Sequence, residues 1–227
     1  MPSVLIAGAN RGIGLEFARQ YAADGWTVHA TARSDQACAA LAALDPNVRA
    51  HRLEVTDPQS IAALARELGA APLDVLIANA GVASDLKRTP EQVDRREVIE
   101  VMGVNTFAPL HLAVALRPHL ERGRLKIAAA MSSLMSSLAR NTNGTQYVYR
   151  ASKTALNAIW TSLAREWRPA GLICVLLRPG FVRTEMTGFK GELDAPESVR
   201  GMRKVVAGLT LADAGRLIGY DGLDLPW

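Results

Sequence analysis

The sequence predicts an α/β chain built as a doubly wound parallel sheet with helices on both faces. Three observations carry this reading. Seven short apolar runs alternate with helix-period segments along all 227 residues, and parallel strands covered on both faces read as unbroken apolar runs. The connections between them are short, without a Ser/Pro-rich linker, repeat or low-complexity tract. Turn-forming, small or polar residues stand directly after five of the runs, where ligands bind in such sheets.

The elements follow in order. VLIAG (4–8) is a strand, and a helix opens near Gly12. WTVHATA (26–32) precedes a helical segment at 35–44, and VRAHRL (48–53) precedes another at 57–69. LDVLIANAG (73–81) leads into a long helix, about 92–120, in which Pro109 should kink the helix or mark a break. RLKIAAAMSS (124–133) is followed by a helix ending at Pro169 and Gly171. LICVLLRPG (172–180) leads to a shorter helix near 196–207, and GRLIGYDG (215–222) reads as a final edge strand. A chain of this size builds one large core, so a single domain over 1–227 is expected.

Composition excludes several classes. With 49% hydrophobic and 21% charged residues the chain is of ordinary globular type. Its net charge of +4 is scattered, too diffuse for a nucleic-acid footprint but suited to a phosphorylated ligand. Cys38 and Cys174 lack metal or redox spacing and read as buried thiols. His29, His51, His111 and His119 form no ligand pattern, so no metal is expected. No basic leader opens the sequence, and Arg66, Glu67 and Asp74 interrupt the best apolar stretch. The expectation is a cytoplasmic protein with no membrane or nucleic-acid partner.

The strand ends carry the chemistry. Gly8-x₃-Gly12-x-Gly14 follows the first strand and opens the first helix, a Rossmann-type arrangement. Glycines there permit a tight turn and let backbone N–H groups and the helix N-terminus approach a pyrophosphate. The second strand ends Thr31-Ala32-Arg33, with no acid before Asp35. An NAD site wants a carboxylate at that end for the ribose hydroxyls. Arg33, together with Arg11, suits a 2′-phosphate instead, which favours NADP(H) over NAD(H); otherwise the two are plain surface arginines.

Tyr149 and Lys153 are four residues apart and share a helix face, whereas Tyr147 points about 120° away from Lys153. Lys153 falls on the apolar stripe of Leu156, Trp160, Leu163 and Trp167. A lysine there either snorkels to water or pairs with Tyr149.

Taken in order, G-x₃-G-x-G at 8–14, Asn79-Ala80-Gly81, Asn105, the serines ending the fifth run, Y-x-x-x-K at 149–153 and Pro179-Gly180 resemble the classical short-chain dehydrogenases/reductases over essentially the whole chain. NRGIG, YRASKTALN, RPGFVRTEM and the final YDGLDLPW look most like the sniffer-type carbonyl reductases and C-factor-like proteins.

The resemblance implies Tyr149 as acid and base between carbonyl and alcohol. Lys153 would lower the phenol's pKa and hold the nicotinamide ribose, Ser133 would hold the substrate oxygen, and Asn105 would hold a water behind the lysine. Ser133 lies sixteen residues before Tyr149, three more than the common spacing, which Ser136 keeps by count. The resemblance further implies cofactor contacts from Gly8, Asn10, Arg11, Gly12, Ile13, Gly14 and Arg33, from Glu54 and Val55, from Asn79, Ala80 and Gly81, and from Pro179, Gly180, Val182 and Thr184.

Ala7 and Ala78 stand where the family commonly has Thr and Asn, and Glu54 where it has Asp. A lid at about 185–207, with Met186 and Phe189, implies a small apolar or aromatic carbonyl or alcohol as substrate. Many relatives are homodimers or homotetramers through the long helix and the Tyr/Lys helix. The C-factor likeness also admits a cofactor-binding regulatory protein, and the intact Ser133/Tyr149/Lys153 set favours the enzyme.

Overall fold

A computed structural model describes residues 1–84 and 88–227. Among the described residues, seven strands form one sheet: β1 (Ser3–Ala7), β2 (Thr27–Ala32), β3 (Val48–Arg52), β4 (Val75–Ala78), β5 (Ile127–Met131), β6 (Ile173–Arg178) and β7 (Leu217–Gly219). The order is β3-β2-β1-β4-β5-β6-β7, and every pairing is parallel. The order reverses at β1, with β2 on one side and β4 on the other, which opens a crevice beyond their carboxyl ends.

Alternation along the strands splits the core in two. Leu5, Ala7, Leu76 and Ala128 face helices α3 (Pro58–Leu68), α5 (Ala108–Arg122) and α6 (Tyr147–Trp167) through Leu64, Leu112 and Trp160. Val4, Ile6, Ile77 and Ala129 face α1 (Gly12–Ala23), α2 (Asp35–Ala42) and α7 (Ala195–Ala207) through Phe17, Leu41 and Met202. Helix starts follow local chemistry. Ser34 caps Ala37 N at 3.3 Å, and Asp57 caps Gln59 N at 2.9 Å with Pro58 in the first turn.

The expected long helix is interrupted. α4 (Arg95–Met102) passes through a wide turn with i→i+5 bonds (Gly103–Phe107) into α5. Pro109, at the start of α5, removes the N–H that would bond the Asn105 carbonyl in an α-helix, so the break falls just before it. Taken together, Arg95–Arg122 is long and apolar enough to cross a membrane, which the sequence reading overlooked by weighing a different stretch. Its Leu112, Ala113, Leu116 and Leu120 lie fully buried against the sheet. The final strand is shorter than the run suggested, spanning Leu217–Gly219 only. Cys38 is half-buried rather than buried, whereas Cys174 lies in the core. No metal-binding group of His, Cys, Asp or Glu occurs among the described residues.

Candidate active site

The glycine loop after β1 is held by its neighbours. Gly8 N donates to Thr31 Oγ1 at 3.1 Å and Ala9 N to Thr31 O at 2.8 Å, so the end of β2 braces the turn. From the β4 end, Asn79 Nδ2 donates to Gly8 O at 2.9 Å and Ala7 O at 3.3 Å. Gly8 has φ +74°, and a Cβ there would lie 3.0 Å from Ala80 Cα. A Cβ on Gly14 would lie 2.1 Å from Gly8 O and 2.6 Å from Asn79 Nδ2. Glycine is thus required for helix α1 to start this close to the loop.

Beyond these strand ends lies a cleft of about 330 Å³. It gathers Gly8, Asn10, Arg11, Gly12, Ile13, Arg33, Glu54, Val55, Asn79, Ala80, Gly81 and Thr184, twelve of the residues expected to contact a cofactor. Leu53 and Val55 give it an apolar wall beside β3, while Arg11 and Arg33 stand exposed at its edge. Arg11 is paired with Glu185, which also lines the cleft. The Glu54 carboxylate turns to Thr56, accepting from its Oγ1 at 2.8 Å and its N at 3.1 Å. A crevice with a glycine cradle, an apolar wall and two cations fits a phosphorylated dinucleotide.

Pro179, Gly180 and Val182 lie outside that cleft lining and build the base of the segment beyond it. Pro179 O accepts from Ser198 Oγ at 2.6 Å on α7. Gly180 has φ +85°, and a Cβ there would come within 2.9 Å of the Tyr220 ring. Buried Val182 bridges to Leu193, closing residues 183–192 into a loop. Arg183 ties the same loop to Asp194 at 2.7 Å.

The Tyr/Lys helix meets the end of β5. Lys153 is 4% exposed, and its Nζ donates to Met131 O at 2.8 Å. It does not snorkel; burial brings its pKa from 10.5 down to about 8. Its Nζ lies 5.9 Å from the Tyr149 ring centre. Burial raises the Tyr149 phenol above its usual value, and the neighbouring Ser133 hydroxyl pulls it partly back. The expected lowering by Lys153 is therefore corrected: in the free protein desolvation dominates, and the phenol holds its proton.

Ser133, on the turn after β5, is the serine whose hydroxyl acts on the Tyr149 phenol. Ser136 is 1% exposed and turns away, donating to Ser133 O at 2.6 Å. Ser132 donates to Asn157 Oδ1 at 2.6 Å. Fully buried Asn105 accepts from Val82 N at 2.9 Å and donates to Val82 O at 2.9 Å and to Ser152 Oγ at 3.1 Å. Its amide thereby fixes the chain leaving β4 to the Tyr/Lys helix. A Cβ on Gly81 would lie 3.3 Å from Asn105 Oδ1 and 3.7 Å from Lys153 Nζ, so the cleft and the Tyr/Lys pair adjoin there.

Sequence reasoning gave no cofactor role to Thr31, Val104 and Glu185 in the cleft, and placed Met186, which also lines it, on the substrate lid. Thr31 could have been found, since β2 is parallel to β1 and its end must lie beside Gly8. Glu185 carried no such signal.

A profile of short chain dehydrogenases matches residues 2–194. The chain belongs to the short-chain dehydrogenase family. The C-signal protein of Myxococcus xanthus is 42% identical over 165 residues, 73% of this chain and 99% of that one. Among solved structures, NADPH-bound carbonyl reductase from chicken fatty liver superposes with a TM-score of 0.92 at 34% identity, over 100% of this chain and 99% of that one. The carbonyl reductase Sniffer of D. melanogaster gives 0.92 at 31% identity, over 100% of both chains. This short-chain dehydrogenase is thus an oxidoreductase by family, related to carbonyl reductases.

Proposed function

We propose that the protein is an NADP(H)-dependent reductase interconverting a carbonyl and an alcohol, with Ser133, Tyr149 and Lys153 at the reacting centre. The observation that carries this is the placement of the buried Lys153, 5.9 Å from the Tyr149 ring centre and bonded to the strand end that carries Ser133, beside the cleft at Gly81. When bound, the nicotinamide cofactor supplies the hydride. Ser133 orients the substrate oxygen, and Tyr149 delivers the proton to it. A phenol held above its usual pKa is the protonated form that carbonyl reduction requires. Lys153 holds a positive charge one turn away below pH about 8 and would bind the nicotinamide ribose.

Asn105 would hold the relay water through its carbonyl, since its amide is engaged and Pro109 removes the N–H four residues on. Arg11 and Arg33 would hold the 2′-phosphate, and Gly14 lets α1 approach the pyrophosphate. Glu54 and Val55 border the adenine end, and Asn79, Ala80 and Gly81 the ribose. Pro179, Gly180, Val182 and Thr184 border the nicotinamide.

Exposed Met186 and Phe189, on the proposed lid at 185–207, favour a small apolar or aromatic carbonyl. Ile99, Phe107 and Val114 on the outer face of the interrupted helix are exposed, in keeping with a homodimer or homotetramer. The same reading includes a cytoplasmic location and no nucleic-acid or membrane partner. A second reading, a cofactor-binding regulatory protein with incidental activity, is favoured by the C-signal likeness.

Oxidation of NADPH and NADH over a panel of aryl ketones, aldehydes and diketones separates the two. The enzyme reading expects NADPH-dependent turnover that falls about 10²- to 10⁴-fold in Tyr149→Phe. Tight NADPH binding with no turnover of any carbonyl transfers the weight to the regulatory reading.

A further inference from the structure

The end of β5 and the turn that follows are gripped by α6 at several points. Lys153 Nζ donates to Met131 O at 2.8 Å, Asn157 Oδ1 accepts from the Ser132 hydroxyl at 2.6 Å, and Thr154 Oγ1 donates to Ser136 O at 3.0 Å. Within the turn, the Ser133 carbonyl accepts twice from Ser136, from its N at 3.1 Å and from its Oγ at 2.6 Å. Ser132 and Ser136 hydroxyls lie 3.3 Å apart, so the two halves of this network touch. Ser132, Ser136 and Asn157 are all at most 2% exposed.

Stability alone does not call for these groups. Asparagine has poor helix propensity, and Asn157 sits inside a 21-residue helix. Its Nδ2 is buried without a protein partner among the described residues, a cost that a leucine would not carry. What the network does fix is a short stretch of backbone whose one outward hydroxyl is that of Ser133. That hydroxyl accepts from Met135 N at 3.1 Å, which leaves its proton to be given elsewhere.

We propose that Ser136 and Asn157 are positioning residues, which lock the Ser133 turn to the Tyr/Lys helix so that the Ser133 hydroxyl stays beside the Tyr149 phenol. This rests on the assignment of Ser133, Tyr149 and Lys153 to the reacting centre. Ser136 acts directly on the Ser133 carbonyl, and Asn157 acts through Ser132. It also accounts for Ser136, which competes with Ser133 by spacing.

The test uses Ser136→Ala, Ser136→Thr and the paired Ser132→Ala/Asn157→Leu variant, which leaves no orphaned polar group. Three quantities are read: Tyr149 ionisation in the free protein by ultraviolet difference against Tyr149→Phe, NADPH affinity without substrate, and kcat and KM for an aryl ketone. Ser136→Ala should lower kcat about ten- to a hundredfold, as expected for a misplacement near 1 Å, with NADPH affinity within about twofold of the parent. Tyr149 should ionise at higher pH, because the Ser133 hydroxyl that draws its pKa down is displaced. Ser136→Thr should restore both. Should the threonine fail to fold, the paired variant must show the same fall in kcat and the same shift.

An unchanged Tyr149 titration with unchanged kcat overturns the proposal. So does a fall in kcat matched by an equal loss of NADPH affinity and no rescue. If the protein reduces no carbonyl at all, the assignment of the centre fails, yet the titration still decides whether Ser136 holds Ser133 against Tyr149.

Discussion

Lys153 Nζ donates to the Met131 carbonyl at 2.8 Å, two residues before the serine whose hydroxyl acts on Tyr149. This bond joins the helix to the strand end and keeps the ammonium in the protein interior. Desolvation there lowers the lysine pKa to about 8. The sign is fixed by the group: below pH about 8 the site carries the cation, and above it the cation is lost. If the charge supports Tyr149 and the ribose, carbonyl reduction is level on the acid side and declines as pH rises through about 8. A pH–rate profile of kcat/KM in the reductive direction checks this, with Lys153→Met as the low baseline. A rate that stays level to pH about 10 would remove the lysine charge from the reaction.

Gly14 tests the cradle. Its missing Cβ would collide with Gly8 O at 2.1 Å and Asn79 Nδ2 at 2.6 Å, a backbone atom and a side chain already bonded to that backbone. Gly14→Ala must push α1 away from the glycine loop. The expected result is a stability loss of about 1–3 kcal/mol, typical of overpacking, together with NADPH affinity weakened more than about tenfold. Denaturant unfolding and a binding titration measure the two effects, and normal affinity in the variant would contradict the cradle.

The two arginines should contribute unequally to cofactor choice. Arg33 stands exposed at the cleft edge, while Arg11 is paired with Glu185 and must exchange that partner for a phosphate. A charged hydrogen bond contributes about 1.5–3 kcal/mol, so Arg33→Ala should weaken NADPH about ten- to a hundredfold and leave NADH unchanged. Arg11→Ala should show a smaller loss, because removing it also removes the competing ion pair. Calorimetric titration with both nucleotides reads the difference. Equal losses for NADPH and NADH would sink the 2′-phosphate assignment.

Much of this was legible in the sequence for a plain reason. Strands such as Ser3–Ala7 and Val75–Ala78 are buried on both faces, so their apolar runs are continuous and their ends stand out. Tyr149 and Lys153 were readable because helical spacing fixes their relation, although only the structure separates a buried amine from a snorkelling one. Ser133 and Ser136 could not be separated by counting, because the difference lies in which way a tight turn sends each hydroxyl. Glu185 was hidden in a polar loop whose closure by Val182 and Leu193 has no periodic signature. The phenol's direction was misjudged because spacing shows the nearby lysine but not the depth of burial.

Stability at low pH depends on a group far from this chemistry. His29 on β2 is 5% exposed, and its Nδ1 lies 2.9 Å from His51 Nε2 on β3. His51 Nδ1 in turn meets Glu67 Oε1 at 2.7 Å on α3. Burial, followed by the neighbouring His51, Arg49 and His119, lowers the His29 pKa from 6.5 to about 4. The folded state therefore refuses a proton that the unfolded chain accepts between those values. Its stability is complete above pH about 6.5 and declines as pH falls toward 4, by about 1.4 kcal/mol per pH unit for this one group. His119, also buried and shifted downward, acts in the same sense. Urea unfolding across this range should show the decline, and His29→Phe should flatten it by close to one proton. An unchanged slope in that variant would place the acid sensitivity elsewhere, with His119→Phe the next substitution to measure.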